Sequence, residues 1–224
     1  MKHLWIIMDW NRRWAKKRFL PTIAWHKAGA ENAVKITKLA KAQGVEFLTL
    51  WALSTENLIK RDQDEVKWII KLINNIENLL WDMLEEDLKF ETIWDISKLP
   101  QESQDILEKV KNNTKNNSGI TLILALVYGW QDEIIRATKK IITDGLDPKT
   151  LTKEEFRKYT DTWKFPVVDM IVRTGWDTRH SWFMLFDSEY SEYYFTEKSW
   201  PDYNEEELEK TLDSFKKSKR NFWK

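Results

Sequence analysis

Asp9 closes a short apolar run, His3-Leu4-Trp5-Ile6-Ile7-Met8, and is followed, after Trp10, by Asn11, Arg12 and Arg13. The run has the length and composition of a buried strand, which places the carboxylate at a strand's C-terminal end, where open α/β sheets bind their ligands. A carboxylate there can hold a divalent cation while two guanidinium forks take phosphate oxygens. The plainer alternative is a turn aspartate beside a solvated helix face; the buried strand before it and the paired arginines after it favour a site. A second cluster has the same chemistry. Arg173, Arg179 and Ser181 put three strong donors within nine residues, after another apolar run, and would make a compact diphosphate cradle. An arginine pair tied into the structure is the plainer alternative at that position.

Strands and helices must alternate to bring these groups together. The first strand precedes a short helix, Asn11 to Lys17, broken by Phe19-Leu20-Pro21-Thr22. Helical spacing of apolar residues runs from Lys27 to Ala42 and stops at Gly44. Val45 to Leu53 reads as a second strand. A single long helix with a broad apolar stripe is expected from Asp64 to about Leu88. Phe90 to Trp94, Ile120 to Val127, Val167 to Val172 and Phe183 to Phe186 are the further strand candidates. Helices are expected over Gln101 to Lys115, Asp132 to Ile142 and Glu205 to Lys217. This alternation predicts an α/β fold: one domain spanning residues 1–224, with a mainly parallel six-stranded sheet flanked by helices.

Composition sets outer bounds. A chain of 224 residues can bury a substantial core. Its formal net charge of zero argues against nucleic-acid binding driven by bulk electrostatics. With no cysteine there is neither a disulfide framework nor a thiolate metal site, in keeping with a cytoplasmic location. No signal-peptide pattern and no apolar run near a membrane span's length is seen, so no transmembrane segment is expected.

The residue order carries a further signal. Met8-Asp9, Asn11-Arg12-Arg13-Trp14-Ala15 and then Trp25-His26-Lys27-Ala28-Gly29 resemble the opening signature of the cis-prenyltransferases, the undecaprenyl diphosphate synthase family. Leu48 to Asn57 is similar to the family's second block, and Val172-Arg173-Thr174-Gly175 with Arg179 and Ser181 to its third. Tyr190 to Phe195 with Trp200-Pro201-Asp202 is similar to its last. Four ordered blocks cover almost the whole chain.

The resemblance implies a magnesium-dependent enzyme that adds isopentenyl diphosphate to an allylic diphosphate such as farnesyl diphosphate, forming a Z double bond at each step. The product would be a membrane-associated polyprenyl lipid precursor. By the same resemblance Asp9 and Asn57 are catalytic, and Asp9 with Glu192 holds Mg2+, Glu192 in some relatives reaching across from a partner subunit, which implies a homodimer. Substrate would be bound by Trp10, Asn11, Arg12, Arg13 and Trp14, by His26 and Ser54, and by Arg173, Arg179 and Ser181. The family's downstream arginine maps to Lys60 counted from Asn57 and to Arg61 counted back from Glu65-Val66, with Arg61 slightly favoured. Taken alone, His26 reads as a structural hydrogen-bonder, and Ser54 and Asn57 as turn caps. Two departures stand out: Thr22 where many relatives carry a diphosphate-binding arginine, and Leu58 in place of an aromatic. A non-catalytic subunit of a heteromeric prenyltransferase is the alternative, but such partners tend to lose the aspartate and the arginine cradle kept here.

Tryptophan and glycine usage is anomalous. Average usage of about 7% would give roughly 16 glycines, whereas the chain has 6 glycines and 14 tryptophans. Trp10, Trp25, Trp94, Trp130, Trp163, Trp176 and Trp223 fall where the resembled family commonly has glycine, and Trp182 where some members do. Trp14 and Trp200 match tryptophans the family itself carries. The expectation is that the gene comes from a lineage reading UGA as glycine, and that the chain as written reads it as tryptophan. Sequencing the gene should show UGA at those eight positions and UGG at Trp14 and Trp200; UGG throughout would refute the idea.

Overall fold

The computed structural model describes residues 1–9, 11–52, 63–85, 87–93, 96–181 and 184–219. Among these, six strands form one all-parallel sheet in the order β3-β4-β2-β1-β5-β6. The strands are β1 (His3–Ile7), β2 (Phe47–Trp51), β3 (Lys89–Ile93), β4 (Thr121–Ala125), β5 (Met170–Thr174) and β6 (Glu192–Thr196). All five residues of β1 and of β5 are buried, as apolar strands covered on both faces of a parallel sheet should be. From β1 the sheet runs through β2 and β4 to β3 at one edge, and through β5 to β6 at the other, so the chain crosses from one side of β1 to the other between β4 and β5. The topological switch point therefore flanks β1, and the crevice where such sheets take ligands opens beside Asp9.

The connecting helices follow the sequence pattern with informative exceptions. Helix α1 (Asn11–Lys17) and the last helix, Glu205–Lys217, have the expected bounds. Helix α2 spans Thr22–Ala42, starting five residues earlier than its apolar spacing suggests. Pro21 ends the segment after α1 and also opens α2, its ring holding φ at −62° at the N-cap. Gly44, at φ 75°, closes α2 by adopting the left-handed conformation that a side chain disfavours. The long helix expected from Asp64 is instead three short ones: α3 (Gln63–Asn74), α4 (Ile76–Leu79) and α5 (Trp81–Glu85). The breaks sit at Asn75 (φ −101°, ψ 10°) and Leu80 (φ −101°, ψ 2°). Asparagine competes with helical hydrogen bonding, and Asn74 accepts from Ser103 Oγ at 2.6 Å, tying the end of α3 to α6 (Gln101–Thr114).

The late strands are displaced from their expected positions. The fifth runs over Met170–Thr174 rather than Val167 to Val172, because Asp169 is used as a cap, its Oδ2 accepting from the backbone N–H groups of Lys2 and His3 at 2.7 and 3.1 Å. The sixth is Glu192–Thr196, not Phe183 to Phe186: Phe186 lies in a 3-10 turn, Phe186–Ser188, and Asp187 in that turn is gripped by Arg157 at 2.8 and 3.0 Å. A short apolar run has the same composition in either conformation. Helix α7 (Trp130–Thr143) is close to expectation, whereas α8 (Lys153–Arg157) was not anticipated. Thr152 and Glu155 carry its signal: the Thr152 hydroxyl accepts the Glu155 N–H at 3.1 Å, the spacing of a capping box. The closing helix, Glu205–Lys217, is α9.

A buried acid lies where β4 gives way to α7. Glu133, 1% exposed, accepts from Tyr128 Oη at 2.5 Å and from the Asp161 N–H at 2.9 Å. Burial outweighs these bonds and raises its pKa to about 7. The folded chain thus holds this proton where the unfolded chain has lost it. Stability from Glu133 is present below its ordinary pKa and is lost as pH rises toward 7, by at most about 3 kcal/mol. Buried His3, lowered to about 4, has the opposite slope, losing stability as pH falls below its ordinary value. Urea unfolding of Glu133→Gln against wild type isolates the first effect, and the variant's relative stability should grow between pH 5 and pH 8. A difference that does not vary with pH would show that Glu133 is ionised in the fold.

Candidate active site

The C-terminal ends of β1 and β5 bring together residues that are about 165 positions apart in the chain. Their register pairs Ile7 with Arg173, so Asp9 lies just beyond the strand end and beside the Arg173 side chain. Arg173 is 4% exposed. Its Nη2 donates to Asp9 Oδ2 at 2.7 Å, and its Nη1 donates to Ser181 Oγ at 2.9 Å and to the Arg179 carbonyl. Next to it, Thr174 Oγ1 accepts the Asp9 N–H at 2.9 Å. The Trp200 N–H donates to the Asp9 carbonyl at 3.0 Å. The backbone of Asp9 is thus held on both sides and its carboxylate by Arg173, while its side chain stays one-third exposed (34%).

The loop after β5 folds back over Arg173. Gly175 permits this with φ at 90°, and its N–H donates to the Lys198 carbonyl at 2.6 Å. Ser181 sits at φ 54°, an uncommon conformation for a residue with a side chain. Asp177, between them, was not singled out by the sequence reading. It lies 2.7 Å from Arg179, 3.7 Å from Arg173 and 3.8 Å from Arg13. Arg13 and Arg179 are largely exposed, and Arg12 is exposed on α1. A carboxylate within seven residues of two arginines was the signal available in the sequence.

Behind this polar mouth lies a cavity of about 160 Å³ with apolar walls. Met8, Asn11 and His26 stand at its head, and Ala33, Ile73 and Leu124 are among its lining residues from α2, α3 and β4. Asn11 is oriented by donating Nδ2 to the Met8 carbonyl at 2.9 Å, which leaves Oδ1 buried without a hydrogen-bond partner among the described residues. Gly29 keeps this corner open: a Cβ there would meet Asn11 Oδ1 at 3.2 Å and the Trp200 ring at 3.4 Å. His26 is buried.

The remaining expected residues divide. Trp14 donates its indole N–H to Asp202 at 2.8 Å, and Arg18 lies 4.6 Å over its ring and bonds the same carboxylate, so Trp14 fixes α1 in place. Glu192 begins β6 opposite Met170, at the far end of the strands from Asp9. Four residues of strand, about 13 Å, separate it from the binding edge, so one chain does not bring it to Asp9. Trp10, Ser54, Asn57, Lys60 and Arg61 lie outside the described residues, as do Trp94, Trp182 and Trp223. Trp130 opens α7, while Trp163 and Trp176 are more than half exposed. Trp25 is buried at the cavity wall, with no hydrogen-bond partner for its N–H among the described residues. Its ring centroid is 3.4 Å from that of His26, closer than the separation of about 4.5 Å or more at which aromatic pairs settle.

Comparison with known proteins shows what the whole chain is similar to. The prenyltransferase family model for undecaprenyl diphosphate synthases matches residues 7–223. An isoprenyl transferase of Treponema denticola is 39% identical over 223 residues, covering 99% of this chain and 97% of the relative. The crystal structure of lavandulyl diphosphate synthase from Lavandula x intermedia, in complex with dimethylallyl diphosphate, superposes with a TM-score of 0.93 at 30% identity, over 98% of this chain and 97% of that one. A probable undecaprenyl diphosphate synthase from Campylobacter jejuni gives 0.80 at 29% identity, over 100% and 99%.

If Arg173 is the anchor of this arrangement, its planar fork matters as well as its charge. Arg173→Lys keeps the charge but cannot span Asp9, Ser181 and the Arg179 carbonyl together. The variant should lose about 2 kcal/mol or more in urea unfolding. Wild-type stability would show that the three contacts are dispensable.

Proposed function

The chain belongs to the undecaprenyl diphosphate synthase family of prenyltransferases, and on that premise we propose that it extends a farnesyl-type allylic diphosphate with isopentenyl diphosphate. Each step forms one Z double bond, and the product is a polyprenyl diphosphate. The observation that carries the reading is the junction at the end of β1, where a mouth of arginines and aspartates opens onto an apolar cavity. Diphosphate suits the first and hydrocarbon the second. The ligand in the lavandulyl diphosphate synthase structure is itself an allylic diphosphate.

In each cycle the allylic C–O bond breaks, a C–C bond forms to isopentenyl diphosphate, and a proton leaves the new unit. Arg13 and Arg179 offer exposed guanidinia to diphosphate oxygens, and Arg173 with Ser181 sets the depth of that cradle. Asn11 Oδ1, buried at the cavity head, is an acceptor at the boundary between the polar and apolar parts. His26 flanks the same boundary. Asn57, Ser54 and Arg61 would complete the site from the segment after β2.

Magnesium fits the donor set. Among the described residues no three acidic or histidine side chains cluster as a protein-built cage, and Mg2+ is usually held by one or two carboxylates with phosphate oxygens and water completing its shell. Asp9 at the strand end is the carboxylate so placed, and the ion would stabilise charge growing on the leaving diphosphate. Glu192 can join Asp9 only from a second copy of the chain, so its assignment to the metal requires a homodimer. It opens the β6 edge strand, whose Tyr193 and Phe195 are exposed. Among the described residues no helix is long and apolar enough to cross a membrane.

Incubating the purified protein, expressed with glycine at the eight positions assigned to UGA, with labelled isopentenyl diphosphate, farnesyl diphosphate and Mg2+ should yield elongated product, and the absence of product would overturn the reading. Asp9→Ala should lower turnover by about a hundredfold or more with the fold intact. Glu192→Ala should also be inactive. Mixing the two variants should recover part of the activity, because a mixed dimer has one site with both carboxylates. No recovery on mixing would remove Glu192 from a shared site.

A further inference from the structure

The reading of the arginine cluster as a diphosphate cradle leaves one carboxylate in it without a role, and the inference here rests on that reading. We propose that Asp177 is a positioning residue, which assembles Arg13, Arg173 and Arg179 into a single cradle before any substrate arrives. The three guanidinia come from α1, from β5 and from the loop beyond it, and the fold that brings these segments together leaves their like charges to be balanced. Three cations drawn to one place repel one another. Asp177 Oδ2 lies 3.8 Å from Arg13 and 3.7 Å from Arg173, and its Oδ1 lies 2.7 Å from Arg179, so one carboxylate faces all three. With only 21% of its side chain exposed, it is less screened than a surface acid.

The lengths of these contacts separate positioning from competition. Only the Arg179 contact has hydrogen-bond length; the other two exceed the range of a direct N–H···O bond. Asp177 therefore gathers the arginines without saturating them. Arg179, 65% exposed on a long flexible stem, gains most, since this bond restricts its rotamers near the mouth. Gly175 makes the placement possible, because its positive φ turns the chain back so that residue 177 faces the end of β1. A carboxylate that acted instead as a stand-in for diphosphate would compete with substrate, and its removal would tighten binding.

The test measures binding as well as turnover. Inorganic pyrophosphate is titrated calorimetrically into the wild-type, Asp177→Asn and Asp177→Glu chains, with steady-state kinetics in parallel and thermal unfolding to check the fold. Asp177→Asn should weaken pyrophosphate binding and raise KM for isopentenyl diphosphate by about tenfold or more. Its kcat should stay within about threefold of wild type, and Asp177→Glu should recover most of the loss. In an Arg179→Ala background, Asp177→Asn should add little to the loss of binding, a comparison that remains available as Asp177→Ser if the asparagine variant does not fold. Unchanged or tighter pyrophosphate binding on removing the charge, or full additivity with Arg179→Ala, would overturn the proposal. A wild-type chain that binds pyrophosphate yet transfers no prenyl group would sink the proposed reaction while leaving the role of Asp177 to be decided by the binding data. A wild-type chain that does not bind pyrophosphate would overturn both.

Discussion

The buried guanidinium of Arg173 is the contact on which the rest of the site depends. An unpaired charge 4% exposed at the end of a central strand would be costly. Its cost is offset because Asp9, Ser181 and the Arg179 carbonyl are arranged around it. That requirement couples two segments far apart in sequence: β1 must end where Asp9 can accept, and the loop after β5 must return to present its hydroxyl and carbonyl. Gly175 at φ 90° and Ser181 at φ 54° are the backbone conformations through which the loop returns. Charge-assisted bonds to a rigid planar group are directional, so meeting them fixes the mouth of the site to within small displacements.

A second set of contacts supports the first from the side of α1. Asp202 accepts from Trp14, Arg18 and Ser199, and these hydrogen bonds and the Arg18 cation hold its carboxyl below the usual range although burial acts the other way. The neighbouring Trp200 donates its backbone N–H to the Asp9 carbonyl and its indole N–H to the Gly29 carbonyl at 2.8 Å. Asn32 on α2 then donates to the carbonyls of Trp200 and Tyr203 at 2.6 and 2.9 Å. One loop thus fixes α1, α2 and the end of β1 together, which sets how the arginines on α1 face the cradle and where the head of the cavity begins.

The central strands were legible in the sequence because buried parallel strands are written as continuous apolar runs, and β1, β2 and β4 each fall within a residue or two of such a run, while the edge strand β3 was legible from its buried Phe90 and Ile93. β6 was not, because its outward positions are aromatic rather than polar: Tyr193 and Phe195 face outward between more buried neighbours, so exposure there does not follow the apolar pattern. The break of the expected long helix at Asn75 was hidden for another reason, since Ile73, Ile76 and Leu80 keep an apolar stripe across it. Asp9, Arg13, Arg173, Arg179 and Ser181 were legible as chemistry, and the fold brings them together. Asp177 was missed because an acid between arginines reads as a solvated charge pair until the loop's path is known. No periodicity in one chain could show that Glu192 lies at the opposite end of the strands from Asp9.

The tryptophans test how far local chemistry and a fold agree. Trp14 and Trp200 behave as residues the structure was built around: each indole N–H has an acceptor at 2.8 Å, and each ring holds segments of the site in place. Trp25 does not. Its indole is buried with no partner for its N–H among the described residues, is pressed to 3.4 Å from the His26 ring, and occupies the wall of the cavity the proposed substrate needs. A buried unsatisfied donor costs about 1–3 kcal/mol, and crowding two rings adds to it. Glycine at that position would remove the donor, the crowding and the obstruction together while giving up only helix propensity, about 1 kcal/mol. Trp163 and Trp176 are exposed, where an indole buries little and returns little stability. Among the described residues, Trp25 is therefore a tryptophan whose surroundings argue for glycine, whereas Trp14 and Trp200 are tryptophans whose surroundings use the indole.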